Sequence, residues 1–307
     1  MDENVRAYRD DIVALFPGQG SLGVGAGRNW RSSPHWNIVS RVSEVSGTDV
    51  EHLLLEAGDA EVVRTDNAQL ATFALSLVGF HDLLALGVRP RYLLGHSLGE
   101  FSALVAAGLL SLEQGAHLIA VRGAAMARAA AMSEGSMVAV MGGDLEARKN
   151  LEALNDVWVA NINGTGQIVL SGTRAGLDAL LEQHRDLGWR RATPLAVGGA
   201  FHSPLMAPAQ AELDDALEKI TWGESEAVVI SNVDGRAHAR DEWSALMRRQ
   251  LTSPVEFLDA TLALPDSVRH SIEMPPAGVL TGLTKRIRDF DSQLAPASLD
   301  ELQESQP

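Results

Sequence analysis

The chain of 307 residues contains no cysteine. Disulfides, thiolate metal sites and a cysteine nucleophile are therefore excluded, and a cytoplasmic location is expected. Basic residues are scarce: 25 Lys and Arg stand against 40 Asp and Glu, a formal net charge of −15. That balance argues against broad binding to nucleic acid or to an anionic membrane. A small acidic partner would need a local basic patch. No apolar run approaches the ~18 residues of a membrane span. The start, Met1-Asp2-Glu3-Asn4, lacks the basic and apolar regions of a signal peptide. What is abundant is apolar side chain, 46% of the residues, enough for one large α/β domain or two domains.

The most informative stretch is Tyr92-Leu93-Leu94-Gly95-His96-Ser97-Leu98-Gly99-Glu100. A short apolar run, then Gly-x-Ser-x-Gly, then a helical pattern reads as a nucleophile elbow. A strand ends, the chain turns sharply and a helix begins, with Ser97 at the apex. Side chains at Gly95 or Gly99 would crowd the turn or the strand–helix packing. The geometry exposes the Ser97 hydroxyl and aims the Leu98 N–H, at the helix N-terminus, toward an oxyanion formed there.

Around the elbow, Asp11 to Phe16 reads as a buried first strand running into the turn-rich Pro17-Gly18-Gln19-Gly20. Residues 36–56, 68–86 and 112–131 carry helical periodicity. The pattern changes near residue 133. Strands are predicted over 136–141, 157–162, 167–171 and 191–197, with helices over 145–154 and 175–187. This β-α-β-β-α-β order predicts a small ferredoxin-like (split βαβ) subdomain over 131–198. It is inserted in a large α/β-hydrolase-like catalytic subdomain, with a parallel sheet, formed by 1–130 and 199–290. The polar tail, 291–307, is expected to be disordered.

A serine nucleophile needs a base, usually histidine, and there are nine. His96 adjoins Ser97, but neighbouring side chains at an elbow point apart. His35, His52, His81, His184 and His270 lie in polar or helical surroundings, His117 in a helix, and His238 in a turn-rich stretch. His202, in Gly198-Gly199-Ala200-Phe201-His202-Ser203-Pro204, follows a strand in a glycine-rich loop, where catalytic side chains tend to be placed. Pattern alone leaves this choice open. It also favours a solvent-facing Arg122 on its Ala-rich helix, plain turn roles for Asn161 and Asn163, a capping or bridging role for Gln69, and a helix-dipole role for Glu100. The glycines near Gln19 lack the P-loop lysine and the Rossmann spacing, so nucleotide binding of that type is not expected.

Several motifs in order resemble the malonyl-CoA:acyl carrier protein transacylases and the related acyltransferase domains of polyketide synthases. They are Phe16-Pro17-Gly18-Gln19-Gly20-Ser21, Gly95-His96-Ser97-Leu98-Gly99-Glu100, Val121-Arg122-Gly123, Asn161-Ile162-Asn163-Gly164-Thr165-Gly166-Gln167 and Gly199-Ala200-Phe201-His202-Ser203-Pro204-Leu205-Met206. Ser231-Asn232-Val233, Gln250-Leu251-Thr252-Ser253-Pro254-Val255, Gly278-Val279-Leu280 and Lys285-Arg286-Ile287 continue the series, and the likeness spans nearly all of 11–290. Two departures are Leu22, where the family has glutamine, and Met274-Pro275-Pro276-Ala277-Gly278, where it has Gly-Pro-Gly.

The resemblance implies roles. Ser97 is the nucleophile and His202 the base, oriented by the backbone carbonyl of Gln250 rather than by a carboxylate. The N–H groups of Leu98 and Gln19 form the oxyanion hole. Arg122 binds the malonyl carboxylate, Gln69 lines the site, and the bulky Phe201 before the histidine favours malonyl over methylmalonyl. The implied reaction moves malonyl from malonyl-CoA to the phosphopantetheine thiol of an acyl carrier protein by ping-pong acyl-serine chemistry, in fatty-acid or polyketide synthesis. No cofactor and no metal are implied, and a monomer is expected. Docking of an acidic carrier protein points to Arg190 and Arg191, or to Lys285, Arg286 and Arg288. The alternatives are a trans-acting polyketide acyltransferase for another acyl unit, a carrier-protein thioester hydrolase of the same fold, and a catalytically dead docking protein.

Overall fold

The computed structural model describes residues 7–305; the first residues read above for a signal peptide lie outside that range. Along the chain run β1 (Arg9–Phe16), α1 (Asn37–Ser46), α2 (Val50–Leu55), α3 (Asp59–Val62), α4 (Thr65–Ala85), β2 (Pro90–Gly95), α5 (Leu98–Ala106) and α6 (Leu112–Ala131). Then come β3 (Gly135–Met141), α7 (Leu145–Asn150), β4 (Val157–Gly164), β5 (Gln167–Thr173), α8 (Arg174–Gln183) and β6 (Arg191–Pro194). The remainder is α9 (Ala207–Leu217), β7 (Val228–Ile230), α10 (Trp243–Gln250), α11 (Phe257–Leu262), β8 (His270–Glu273), α12 (Val279–Thr284), β9 (Ser292–Leu294) and α13 (Leu299–Glu304).

The fold is mixed α/β around a parallel sheet ordered β7-β2-β1-β8-β9. β1 is central, and Ile12 to Phe16 are wholly buried, because helices cover both faces of a parallel sheet and remove the need for polar alternation. α4 packs through the same core, with buried residues around most of its circumference. Contrary to the sequence expectation, this helix is long and apolar enough to cross a membrane, but 83% of its apolar window is buried inside the protein.

A second, antiparallel sheet is ordered β4-β5-β3-β6. Its strands alternate. Val138, Val140, Ile168 and Leu170 pack against Ala147, Leu177, Leu180 and Trp189, while Met137, Ala160 and Val169 join the main core. An isolated parallel bridge ties β4 to the segment that leads into α11: Ile162 N–H donates to Val255 O at 2.9 Å and Val255 N–H to Ala160 O at 2.8 Å.

Three expectations change. The periodic stretch 36–56 is two helices, because Gly47 takes φ 70° to end α1 and the Asp49 side chain caps α2. Three elements of the smaller region end early: β6 at Pro194, α7 at Asn150 and α8 at Gln183, short of the predicted 197, 154 and 187. The tail expected to be disordered is instead structured as far as it is described. β9 pairs with β8, and Ser298 caps α13, whose Leu299 and Leu302 are buried. A polar composition concealed one apolar pair at helical spacing and one short strand with a sheet edge to join.

Candidate active site

β1 and β2 run in register, Phe16 beside Gly95, so the loops that follow them emerge together at the carboxyl edge of the sheet. At the elbow, a Cβ on Gly95 would lie 2.1 Å from Glu100 N, and one on Gly99 would lie 1.9 Å from Phe16 O. Only glycine fits either place. Ser97 itself sits at φ 55°, ψ −108°, a sparsely populated conformation that costs about 1–3 kcal/mol and persists where the surroundings enforce it.

The enforcement is visible. Ser97 N–H donates to Asn232 Oδ1 at 2.6 Å, and Asn232 Nδ2 donates to Gly95 O at 2.7 Å. Gln250 Nε2 donates to Ser97 O at 2.9 Å. The result presents Ser97 Oγ 2.7 Å from His202 Nε2. His202 Nδ1 faces two carbonyl oxygens, Gln250 O at 3.0 Å and Ser253 O at 3.2 Å. Carbonyls only accept, so the ring proton belongs on Nδ1 and the Nε2 lone pair faces the hydroxyl. Burial first, and then the positive charge of Arg122, push the imidazole down to about 3. It is neutral at physiological pH.

His96 takes no part in this pairing. Its Nε2 lies 2.9 Å from Asn163 Oδ1 on β4, and its ring packs against Phe257. Arg122, expected to face solvent, is 1% exposed. Its guanidinium donates to Gln69 Oε1 at 2.6 Å, to Ser97 Oγ at 3.0 Å and to Gln250 Oε1 at 3.2 Å, and its Nε is buried without a partner among the described residues. Burial lowers it to about 10, so it stays cationic. Leu98 and Gln19 begin their helical turns, which leaves their N–H groups outside the helical ladder.

Gln19, Ser97, Phe201 and His202 line a cleft of ≈ 440 Å³, together with Met137, Asn161 and Asn163 from the smaller sheet. Leu22, one departure from the family pattern, also lines it. Among the described residues no cluster of His, Asp and Glu could hold a metal. Sequence reasoning missed Ser253, Asn232 and the depth of Glu100, which is fully buried. Asn232 lay inside a quoted motif, but nothing local to it signals a contact with a residue so far back in the chain.

An α/β sheet that presents a hydroxyl at a strand–helix turn, with a neutral imidazole against it and backbone donors beside it, is suited to acyl transfer through serine. The chain belongs to the acyl transferase family: the domain described as "Acyl transferase domain" matches residues 13–298. It is 37% identical over 286 residues to the malonyl CoA-acyl carrier protein transacylase of Bacillus subtilis (strain 168), covering 90% of each. Among solved structures it resembles MCAT from Mycobacterium tuberculosis, with TM-score 0.88, 34% identity, and coverage of 95% of this chain and 99% of that one. A malonyl-transacylase solved with its type II PKS acyl-carrier protein matches with TM-score 0.90 and 30% identity over 95% and 97% of the respective chains.

Proposed function

We propose that this protein moves malonyl from malonyl-CoA to the phosphopantetheine thiol of an acyl carrier protein through an acyl-Ser97 intermediate. The observation that carries the reading is the Arg122 guanidinium, buried and 3.0 Å from Ser97 Oγ. A cation placed there suits an acyl group that ends in a carboxylate, which a guanidinium holds bidentately. The named activities of the relatives support it.

Ser97 Oγ attacks the thioester carbon while His202 Nε2 takes its proton. The oxyanion rests on the N–H groups of Leu98 and Gln19, the C–S bond breaks, and coenzyme A leaves as a thiol with the proton from His202. The carrier thiol then reverses the sequence, leaving malonyl on sulfur and the proton back on Ser97. Until the carboxylate arrives, Arg122 donates to Ser97 Oγ and holds a positive charge beside His202. Carboxylate binding engages that cation, frees the hydroxyl and makes the imidazole more basic. The buried Arg122 disfavours the hydrolase alternative, since a hydrolase of varied acyl chains gains nothing from it. Intact Ser97 and His202 disfavour a dead docking protein. Another acyl unit remains the second reading of the same site.

The same proposal assigns the architecture. Residues 1–130, of which 1–6 lie outside the described residues, and 199–290 form an α/β-hydrolase-like catalytic subdomain, which β9 and α13 extend. Residues 131–198 form a ferredoxin-like insert, whose strand order, counted within the insert, is 2-3-1-4. The enzyme works in the cytoplasm as a monomer. The carrier meets one basic patch rather than two. Met141 pairs with both Gln167 and Arg191, and Arg286 donates to Gln167 at 2.8 Å, so the exposed Arg190, Arg191, Lys285 and Arg286 share one rim. Arg288 drops out, because its guanidinium is spent on the carbonyls of Leu264, Pro265 and Val268.

The test is coenzyme A release from malonyl-CoA. Alone, the enzyme should give one equivalent and stop; with holo carrier protein it should turn over. In that assay Arg191→Glu with Arg286→Glu should raise the KM for carrier protein and leave that for malonyl-CoA unchanged. Continuous release without carrier protein would mean a hydrolase.

A further inference from the structure

Glu100 is a buried carboxylate that the reaction above leaves unused. It is 0% exposed and forms no ion pair among the described residues. An unpaired buried charge is costly to keep. Burial raises the group to about 7, above its unfolded value. Such a shift contributes stability below the unfolded value and withdraws it as pH rises through about 7. Ionised Glu100 therefore works against the fold, and its retention calls for another reason.

The contacts supply one. Oε1 accepts from Asn232 N–H at 2.8 Å, and Oε2 accepts from Gln250 Nε2 at 2.7 Å. These are the two residues whose side chains hold Ser97, one at its N–H and one at its C=O. Gln250 also offers Oε1 to Arg122 and its backbone carbonyl to His202. Its amide has one orientation that satisfies all neighbours. The nitrogen must face two acceptors, Glu100 and Ser97 O, and the oxygen must face Arg122. That solution requires Glu100 to accept. Protonation removes the charge that Asn232 N–H, Gln250 Nε2 and the Ser231 hydroxyl bond to; a carboxyl hydrogen turned toward Gln250 can be accepted only if the amide puts its oxygen onto Ser97 O and its N–H onto the guanidinium.

We propose that Glu100 is a positioning residue whose ionised carboxylate, acting through Asn232 and Gln250, holds Ser97, His202 and Arg122 in the reactive arrangement. The proposal rests on the reading of Ser97 as nucleophile. Of the charged groups on the elements packed around Glu100, Arg122 from α6 favours its ionised form. Burial lowers both His96 and His202, favouring their neutral forms. The facing parts of β1 and β2, Ile12–Phe16 and Leu93–Gly95, carry no titratable side chain, and α4 brings the neutral Gln69.

The experiment follows modification of Ser97 in a single turnover across about pH 5–9, with Tm recorded at each pH. It compares wild type with Glu100→Gln, using malonyl-CoA and, separately, a sulfonyl fluoride that labels an activated serine without needing a carboxylate. The wild-type rate should fall as pH drops through about 7 with no fall in Tm. Glu100→Gln should be slower at pH 8 on the order of tenfold or more, the worth of a charge-assisted hydrogen bond, and should lack that limb. A Glu100→Gln protein that matches wild type at pH 8, or keeps the same limb, overturns the proposal. If Glu100→Gln does not fold, a wild-type rate flat across the range overturns it. Sulfonylation that depends on Glu100 without any malonylation would uphold the inference and refute the malonyl reading instead.

Discussion

His202→Ala is expected to slow malonyl transfer by a factor on the order of 10²–10⁴, the usual contribution of general acid–base catalysis. The size follows from the absence of a substitute. Among the described residues, Ser97 Oγ has one basic nitrogen within reach, His202 Nε2 at 2.7 Å. The nearest rival in sequence, His96, is committed to Asn163 on β4. His96→Ala should therefore cost less rate, if it folds; its ring also packs on Phe257, so part of its loss should appear as stability. Burial, the largest of the causes that hold His202 down to about 3, persists when the malonyl carboxylate engages Arg122, so protonation of this base should not limit the rate near neutral pH. Single-turnover acylation of the two variants decides the ranking, and the reverse order would mean that the base is His96.

The second large effect concerns Arg122. Its side chain is 1% exposed and contacts Gln69, Gln250 and the reactive hydroxyl. Removing one partner of a desolvated charge pair costs roughly 2–5 kcal/mol, and each 1.36 kcal/mol is tenfold in rate. Arg122→Ala should thus depress kcat/KM for malonyl-CoA by about 30-fold or more. Acetyl-CoA has no carboxylate to lose, and it gains a hydroxyl no longer held by the guanidinium, so its transfer should fall much less or rise. Phe201, which lines the cleft beside His202, is the companion control: Phe201→Ser should relax discrimination against methylmalonyl-CoA while malonyl transfer survives. Measured across the three substrates, equal losses of acetyl and malonyl transfer in Arg122→Ala would make Arg122 structural.

Local rules carried much of this site. Gly95 and Gly99 could be read as steric requirements of a strand–turn–helix elbow, although only Gly95 is excluded by atoms of the turn itself, Gly99 meeting the backbone of Phe16 and Pro17 at the end of β1. Ser97 and Leu98 followed from the same turn. His202 did not, since nine histidines compete and only the fold brings one to Nε2 distance. Arg122 was assigned to solvent for its charge alone, although it stands three or four residues from the buried Leu118, Ile119, Ala125 and Met126, while Glu113, His117 and Arg128 take the exposed side of α6. Glu100 was read as a helix-dipole residue, which its place in the first turn of α5 allows. Its bonds to Asn232 and Gln250 reach 132 and 150 residues along the chain and leave no local trace. The tail failed for a related reason: β9 depends on an edge of β8 that exists only in the folded sheet.

The central claim is that Ser97 carries the acyl group, and one measurement addresses it most directly. After incubation with malonyl-CoA alone, intact and peptide mass spectrometry should find a single malonyl adduct on the peptide containing Ser97. Ser97→Ala should show none, and holo carrier protein should discharge the adduct from the wild type. A malonyl adduct persisting in Ser97→Ala, or mapping to another residue, would contradict the account.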